Sequence, residues 1–297
     1  MSLLLILLAT AFLVRILAPE MANIRESAAT VRWPRIAIAS LALVPMCFLK
    51  AWYHFYLLER LSGNRIALRI GLPIYLQSQI VRYLPGTIWG MVYQSQRLAD
   101  THRTSEVVIA NLWQMATTNL LSIGVIVSIL LSWNYSPAWL LLLIPSVALV
   151  EGLHRYPIVE SWVLKQLGRF LPRFAPLAAG RMLPPMRWKG TAILCAEWMF
   201  YFLSFVVLLQ GSMDWHKALL LATWYSGASV ISLVAFVVPA GIAVREAVFV
   251  AVPGLIGIDT ATLAIVAVLA RVTSLLGEIM AALLASLAKL GIRDEPA

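Results

Sequence analysis

The sequence predicts an all-α polytopic membrane protein, with about six full transmembrane helices and two broken, re-entrant helical hairpins in two inverted-topology halves. Three observations predict it. Apolar residues make up 61% of the 297 and charged residues only 12%, and the mean hydropathy is +0.84. Runs of apolar residues that need a bilayer as solvent are then unavoidable. The basic residues fall between those runs. Two of the longest apolar stretches are interrupted near their middles, at Pro85-Gly86 and at Pro239-Ala240-Gly241.

Taken in order, the first element is MSLLLILLATAFLVRILAPE. It has the apolar core of a signal peptide but neither a positive n-region nor a clear cleavage site, so 1–18 reads as a short first transmembrane helix. The spans 33–58, 104–133, 137–153, 189–210 and 259–288 each approach or exceed the ~20 residues that a hydrocarbon core of about 30 Å requires. The stretches 66–98 and 216–257 carry the two breaks. Each is either a hairpin that enters and leaves on one side or a pair of short crossings. The whole chain is one membrane domain, with a first half of about 1–153, a basic linker of about 154–188 and a second half of about 189–297.

Charge sets the orientation. The linker holds Arg155, Lys165, Arg169, Arg173, Arg181, Arg187 and Lys189, whereas 134–137 and 253–258 hold no Lys or Arg. Cytoplasmic loops carry the excess of Lys and Arg, so the linker and both termini are expected in the cytoplasm of a bacterial-type inner membrane. The ends of the first broken stretch, with Arg60, Arg65, Arg69, Arg97 and Arg103, share that side. The second broken stretch enters from the other. Arg25 and Arg32, in a loop expected outside, run against the rule.

The net charge of +9 follows this loop pattern and suits anionic headgroups rather than nucleic acid. No Walker loop, Rossmann fingerprint or HExxH occurs, so no cofactor and no coupling to nucleotide hydrolysis are expected. Cys47 and Cys195 show no metal or redox spacing and read as packing residues. His54, His102, His154 and His216 lie near predicted helix ends with no metal-ligand spacing. No Ser/His/Asp set is evident, so the chain reads as a non-enzyme. An intramembrane transferase would have to work from Glu197, Glu246 or Glu278.

The breaks carry the candidate site. Pro85 removes a backbone donor and Gly86 adds freedom, so one helix stops and another starts near membrane depth, and Pro239 and Gly241 repeat this in the second half. Free backbone groups cost several kcal/mol each in hydrocarbon, so such breaks persist only in protein or beside a wet cavity. Two helix N-termini would then face one anion. Arg82 just before the first break and Arg245 just after the second add guanidinium groups suited to phosphate. Tyr83, Trp89 and Gln94 line the first break, and Glu246 and Arg271 the second. Glu197 and Glu278 are candidates for charge pairing or proton coupling. Arg271 and Glu278 lie seven residues apart on one helical face, about 10 Å along the axis, and should therefore pair across helices. One expectation is that Glu246 and Glu197 hold Arg245 and Arg271.

RYLPGTIW at 82–89, PAGIAVREA at 239–247 and the later Ala270-Arg271 resemble the lysylphosphatidylglycerol synthase transmembrane-region family. Its signals are a YLPG-x-x-W motif and a P-x-G-x-G-x-R-E-like motif. The resemblance implies two inverted halves with re-entrant helices and a role in moving polar-headed lipids between leaflets. It assigns Arg82, Tyr83, Pro85, Gly86 and Trp89 to one motif and Pro239, Gly241, Arg245 and Glu246 to the other. Ala243 replaces a common second glycine. The soluble aminoacyl-transferase domain of the full-length synthases is not in this sequence. The expected function is a flippase for a polyprenyl-phosphate-linked sugar or a phospholipid. The rival expectation is a non-transporting scaffold that partners a glycosyltransferase or another lipid-modifying enzyme.

Overall fold

The computed structural model describes residues 32–83, 88–156, 158–170, 186, 188–232, 244–251 and 253–291. The expected first span at 1–18 and the break residues Pro85, Gly86, Pro239 and Gly241 lie outside them. The elements are α1 (Trp33–Ser62), α2 (Leu68–Val81), α3 (Trp89–Arg97), α4 (Thr104–Asn134), a 3-10 turn (Pro137–Leu142) running into α5 (Leu143–Arg155), α6 (Ile158–Phe170), α7 (Trp188–Leu209), α8 (Trp215–Ser232), α9 (Val244–Val250), α10 (Pro253–Ile256) and α11 (Thr260–Gly291). Among the described residues there is no strand. Five helices of the described residues are long and apolar enough to cross a membrane: Trp33–Ser62, Thr104–Asn134, Pro137–Arg155, Trp188–Leu209 and Thr260–Ala288. The protein is thus of the all-α membrane class. The interval expected as linker contains the 13-residue α6.

Helix α1 starts with proline in its first turn and keeps Pro45 in its interior. It runs antiparallel to α7. Near its start, Arg35 lies against Gly211 just past the end of α7, and near its end, the Tyr56 hydroxyl donates to the Met186 carbonyl at 3.1 Å, just before α7 begins. Because lipid is as apolar as leucine, helices associate here through close approach rather than through removal of apolar surface from water. Small residues accordingly fill the contacts: Ala39 and Ala51 on α1, Ala218, Ala222 and Ala228 on α8, and Ala264, Ala267, Ala281 and Ala285 on α11 are buried. Large side chains such as Trp33, Ile38, Met199, Val268 and Leu287 are exposed instead.

Helices α2 and α3 are only 14 and 9 residues long, about 21 Å and 14 Å at 1.5 Å per residue, too short for either to cross. They form an antiparallel hairpin. Tyr93 donates to Gln77, the Gln94 amide donates to Ser78 Oγ at 2.6 Å, and Gly90 lies against Ser78 and Arg82. A Cβ on Gly90 would come within 2.9 Å of the Ser78 carbonyl oxygen, so only glycine permits this approach. The hairpin returns to its starting point: the Asn64 side-chain amide, before α2, donates to the Thr101 carbonyl, after α3, at 3.1 Å. The return of the chain suits a re-entrant hairpin and two short crossings alike, and the lengths of α2 and α3 favour the hairpin.

The second broken stretch builds a similar pair. The Trp224 indole of α8 donates to the Phe249 carbonyl of α9 at 2.9 Å, and Arg245, one turn earlier on α9, covers the Tyr225 ring at 4.4 Å. The order of long helix, hairpin, long helix therefore occurs twice, as α1 to α4 and as α7 to α11. The two sets interlock: α2 of the first packs on α11 of the second, and α8 of the second packs on α4 of the first.

A buried polar network ties α1, α4, α5 and α7 together. Tyr53 Oη lies 2.8 Å from Thr117 Oγ1 and 2.7 Å from His154 Nε2. His154 Nδ1 lies 2.9 Å from Thr191 Oγ1, which donates to Glu151 at 2.6 Å. His54 is also buried, with Nδ1 3.2 Å from the Gln114 amide oxygen. His154 thus lies near a helix end, in the last turn of α5, as expected, and both histidines are buried in hydrogen bonds inside the bundle.

Candidate functional site

Three arginines and two glutamates converge where α2, the first arm of one hairpin, ends and α9, the second arm of the other, begins, against the middle of α11. Arg82 caps the C-terminal end of α2. It donates from Nη1 to the Gln79 amide oxygen at 2.9 Å and from Nη2 to Glu278 Oε1 of α11 at 2.5 Å. Glu246, in the first turn of α9, accepts from its neighbour Arg245 at 3.0 Å and meets Arg271 of α11 at 3.7 Å. Tyr83 joins the two sets, with its ring 5.6 Å from Arg82 and 5.0 Å from Arg271. Each cation thus sits over the negative face of a ring or against a carboxylate.

The expected pairing of Arg271 and Glu278 with different helices is what the chain shows, Arg271 with Glu246 and Glu278 with Arg82. Position along α11 gives the depth. Arg271 lies 11 residues and Glu278 18 residues past Thr260, about 16 Å and 27 Å from the start of a helix some 48 Å long. The cluster is half-way down.

Three guanidinium groups against two carboxylates leave one positive charge, and the polar capacity is not used up. Among the described residues, Arg82 Nε, Glu246 Oε2, Glu278 Oε2 and the Tyr225 hydroxyl are buried with no hydrogen-bond partner. Buried polar atoms are nearly always bonded, so four orphans around one cluster mark a place where a polar ligand or water fits. Arg82 is the accessible member, with 41% of its side chain exposed against 11% for Glu278, 16% for Arg245 and 17% for Glu246.

The structure thus brings together Arg82, Tyr83, Arg245, Glu246, Arg271 and Glu278 from the sequence-predicted set. It does not bring in Glu197. That residue is 4% exposed on α7, and its Oε1 has no hydrogen-bond partner among the described residues. The carboxylate that meets both Arg245 and Arg271 is that of Glu246. Gln94 is buried inside the hairpin, donating to Ser78 and accepting from Asn111 at 2.8 Å, so both ends of its amide serve α2, α3 and α4 rather than the cluster. Trp89 stands in the first turn of α3 and is 45% exposed.

The chain matches no family model, no curated protein and no solved structure.

Two members were missed from the sequence, Gln79 as a ligand of Arg82 and Tyr225 as the platform for Arg245. Gln79 carried a signal, three residues before Arg82 on the same helical face. Tyr225 carried none, because it is 20 residues from Arg245 in sequence and meets it only through the α8–α9 hairpin. Among the described residues no group of three or more His, Cys, Asp or Glu could hold a metal.

Proposed function

We propose that the protein is a lipid flippase whose phosphate-bearing headgroup docks in the arginine cluster while its tail stays in the bilayer. The carrying observation is that Arg82 from one half and Arg245 and Arg271 from the other meet half-way down the bundle, beside orphaned buried polar atoms. A phosphate can displace Glu278 and Glu246 from the guanidinium groups. Exchanging one anion for another keeps each cation compensated and avoids the several kcal/mol of stripping it bare at depth. Leaving the tail in lipid avoids about 0.8 kcal/mol for each CH₂ that would otherwise enter water.

The antiparallel run of the equivalents α1 and α7 supports reading the halves as inverted repeats, and in such carriers the site lies where the broken helices of the halves meet. The first hairpin then opens to the cytoplasm and the second to the far side. The resemblance of RYLPGTIW and PAGIAVREA to the lysylphosphatidylglycerol synthase transmembrane family supports the same reading.

The test is flipping of fluorescent phospholipid and polyprenyl-phosphate probes by the purified protein in vesicles. Arg82→Ala and Arg245→Ala should each slow flipping about tenfold or more, the loss expected for a charge-assisted hydrogen bond. Wild-type rates in both variants would place the function elsewhere. A scaffold would flip nothing without its partner enzyme.

A further inference from the structure

A second polar cavity, of about 380 Å³, opens at the end of the bundle opposite Arg60 and Arg65. Its walls come from the start of α1, the turn after α7, the start of α8 and the start of α11. It is lined by Arg32, Arg35 and Lys217 with one acid, Asp259, over an apolar floor that includes Leu209 and Ile265. The acids nearby are already committed. Asp259 accepts from the Thr262 N–H at 2.9 Å and the Thr262 hydroxyl at 2.7 Å, and Asp214 accepts the Lys217 backbone N–H at 3.0 Å. Among the described residues no carboxylate pairs with Arg32, Arg35 or Lys217.

The wall around Arg35 is shaped for it. Gly211 has φ +75, a backbone conformation that favours glycine, and it lies against the Arg35 guanidinium. The cavity is separate from the arginine cluster. Leu269 on its floor is two residues from Arg271, and residues two apart on a helix do not face the same way.

We propose that this cavity binds a phosphate group, its three cations taking the anion and its apolar floor taking the start of a tail when the phosphate belongs to a lipid. The volume is in the range of ligand pockets, and cations beside an apolar wall suit an anionic headgroup. The site also explains why Arg32, Arg35 and Lys217 stand at the end where the loop-charge rule puts few cations: they are ligands rather than topology signals.

The experiment is calorimetric titration of the full chain in neutral phosphatidylcholine nanodiscs with dihexanoyl phosphatidic acid, inorganic phosphate or, as control, dihexanoyl phosphatidylcholine. Phosphatidic acid should bind above the control, and the Arg35→Gln/Lys217→Gln variant should weaken it about tenfold or more. Lys217→Gln alone, at an exposed position that does not threaten folding, should weaken it several-fold. Inorganic phosphate binding as tightly as the lipid assigns the site to soluble phosphate, and much weaker binding assigns it to a headgroup. Arg82→Gln/Glu278→Gln should stop flipping and remove only the share of binding that belongs to the transport site, while the share lost in Arg35→Gln/Lys217→Gln is retained, which separates the cavity from that site. The proposal is overturned if neither phosphate species binds above the control, or if the Arg35/Lys217 variant binds like wild type.

Discussion

The Arg82–Glu278 pair joins residues 196 positions apart, and its strength is measurable. A double-mutant cycle with Arg82→Gln and Glu278→Gln should show a coupling of about 1 to 2 kcal/mol in unfolding free energy, less than a fully buried pair because Arg82 is half exposed. A coupling near zero would mean the two do not hold each other. Asp259 offers a second residue-scale test. The little burial it has pushes its carboxyl up, but the N–H and hydroxyl of Thr262 outweigh that and hold it below its ordinary 3.8. A depressed folded pKa stabilises above the unfolded value and loses that contribution as pH falls through the folded one. Asp259→Ala should therefore cost about 1 kcal/mol near neutral pH, and the gap from wild type in thermal unfolding should close below about pH 4. A gap that persists in acid would show that the carboxylate is not the cap. The sequence named most of the cluster because charge in an apolar run is expensive and so conspicuous. It misassigned Glu197 because a carboxylate's partner depends on which helices touch.

At the scale of elements, the first hairpin is the least ordinary piece. Its two helices are too short to cross, and their approach at Gly90 leaves no room for a side chain. With Cys47 and Cys195 replaced by alanine, Ile88→Cys, at the turn between α2 and α3 and exposed, should not react with an impermeant maleimide from the side of sealed vesicles opposite to the one that labels Asn64→Cys and Thr101→Cys. Labelling of Ile88→Cys from that opposite side would mean that α2 and α3 are separate crossings. Proline and glycine announced a break, but parity made a hairpin and two crossings indistinguishable from charge. The bonds from Asn64 to Thr101 and from Gln94 to Ser78 lay the two helices antiparallel, and their lengths, 14 and 9 residues, favour the hairpin. The five long helices were legible nearly to their ends, since length and hydropathy alone fix a span.

The whole molecule is two interlocked sets, in which each hairpin leans on the final helix of the other. Gln77 of α2 donates to Ser286 of α11 at 3.2 Å. Gln77→Cys/Ser286→Cys should cross-link under mild oxidation and stop flipping, with recovery on reduction, if the halves must move against each other. Full flipping by the cross-linked protein rules that motion out. Composition by itself determined the solvent, the helical class, the long spans, the positions of the breaks and the costly charges, because each is a local property of chain and bilayer. Only the tertiary structure decided that Arg82 meets Glu278, that Glu246 rather than Glu197 holds Arg245 and Arg271, and that Tyr225 lies under Arg245. Those choices depend on which helix faces are driven together, and contact between residues tens to hundreds of positions apart leaves no periodicity to read.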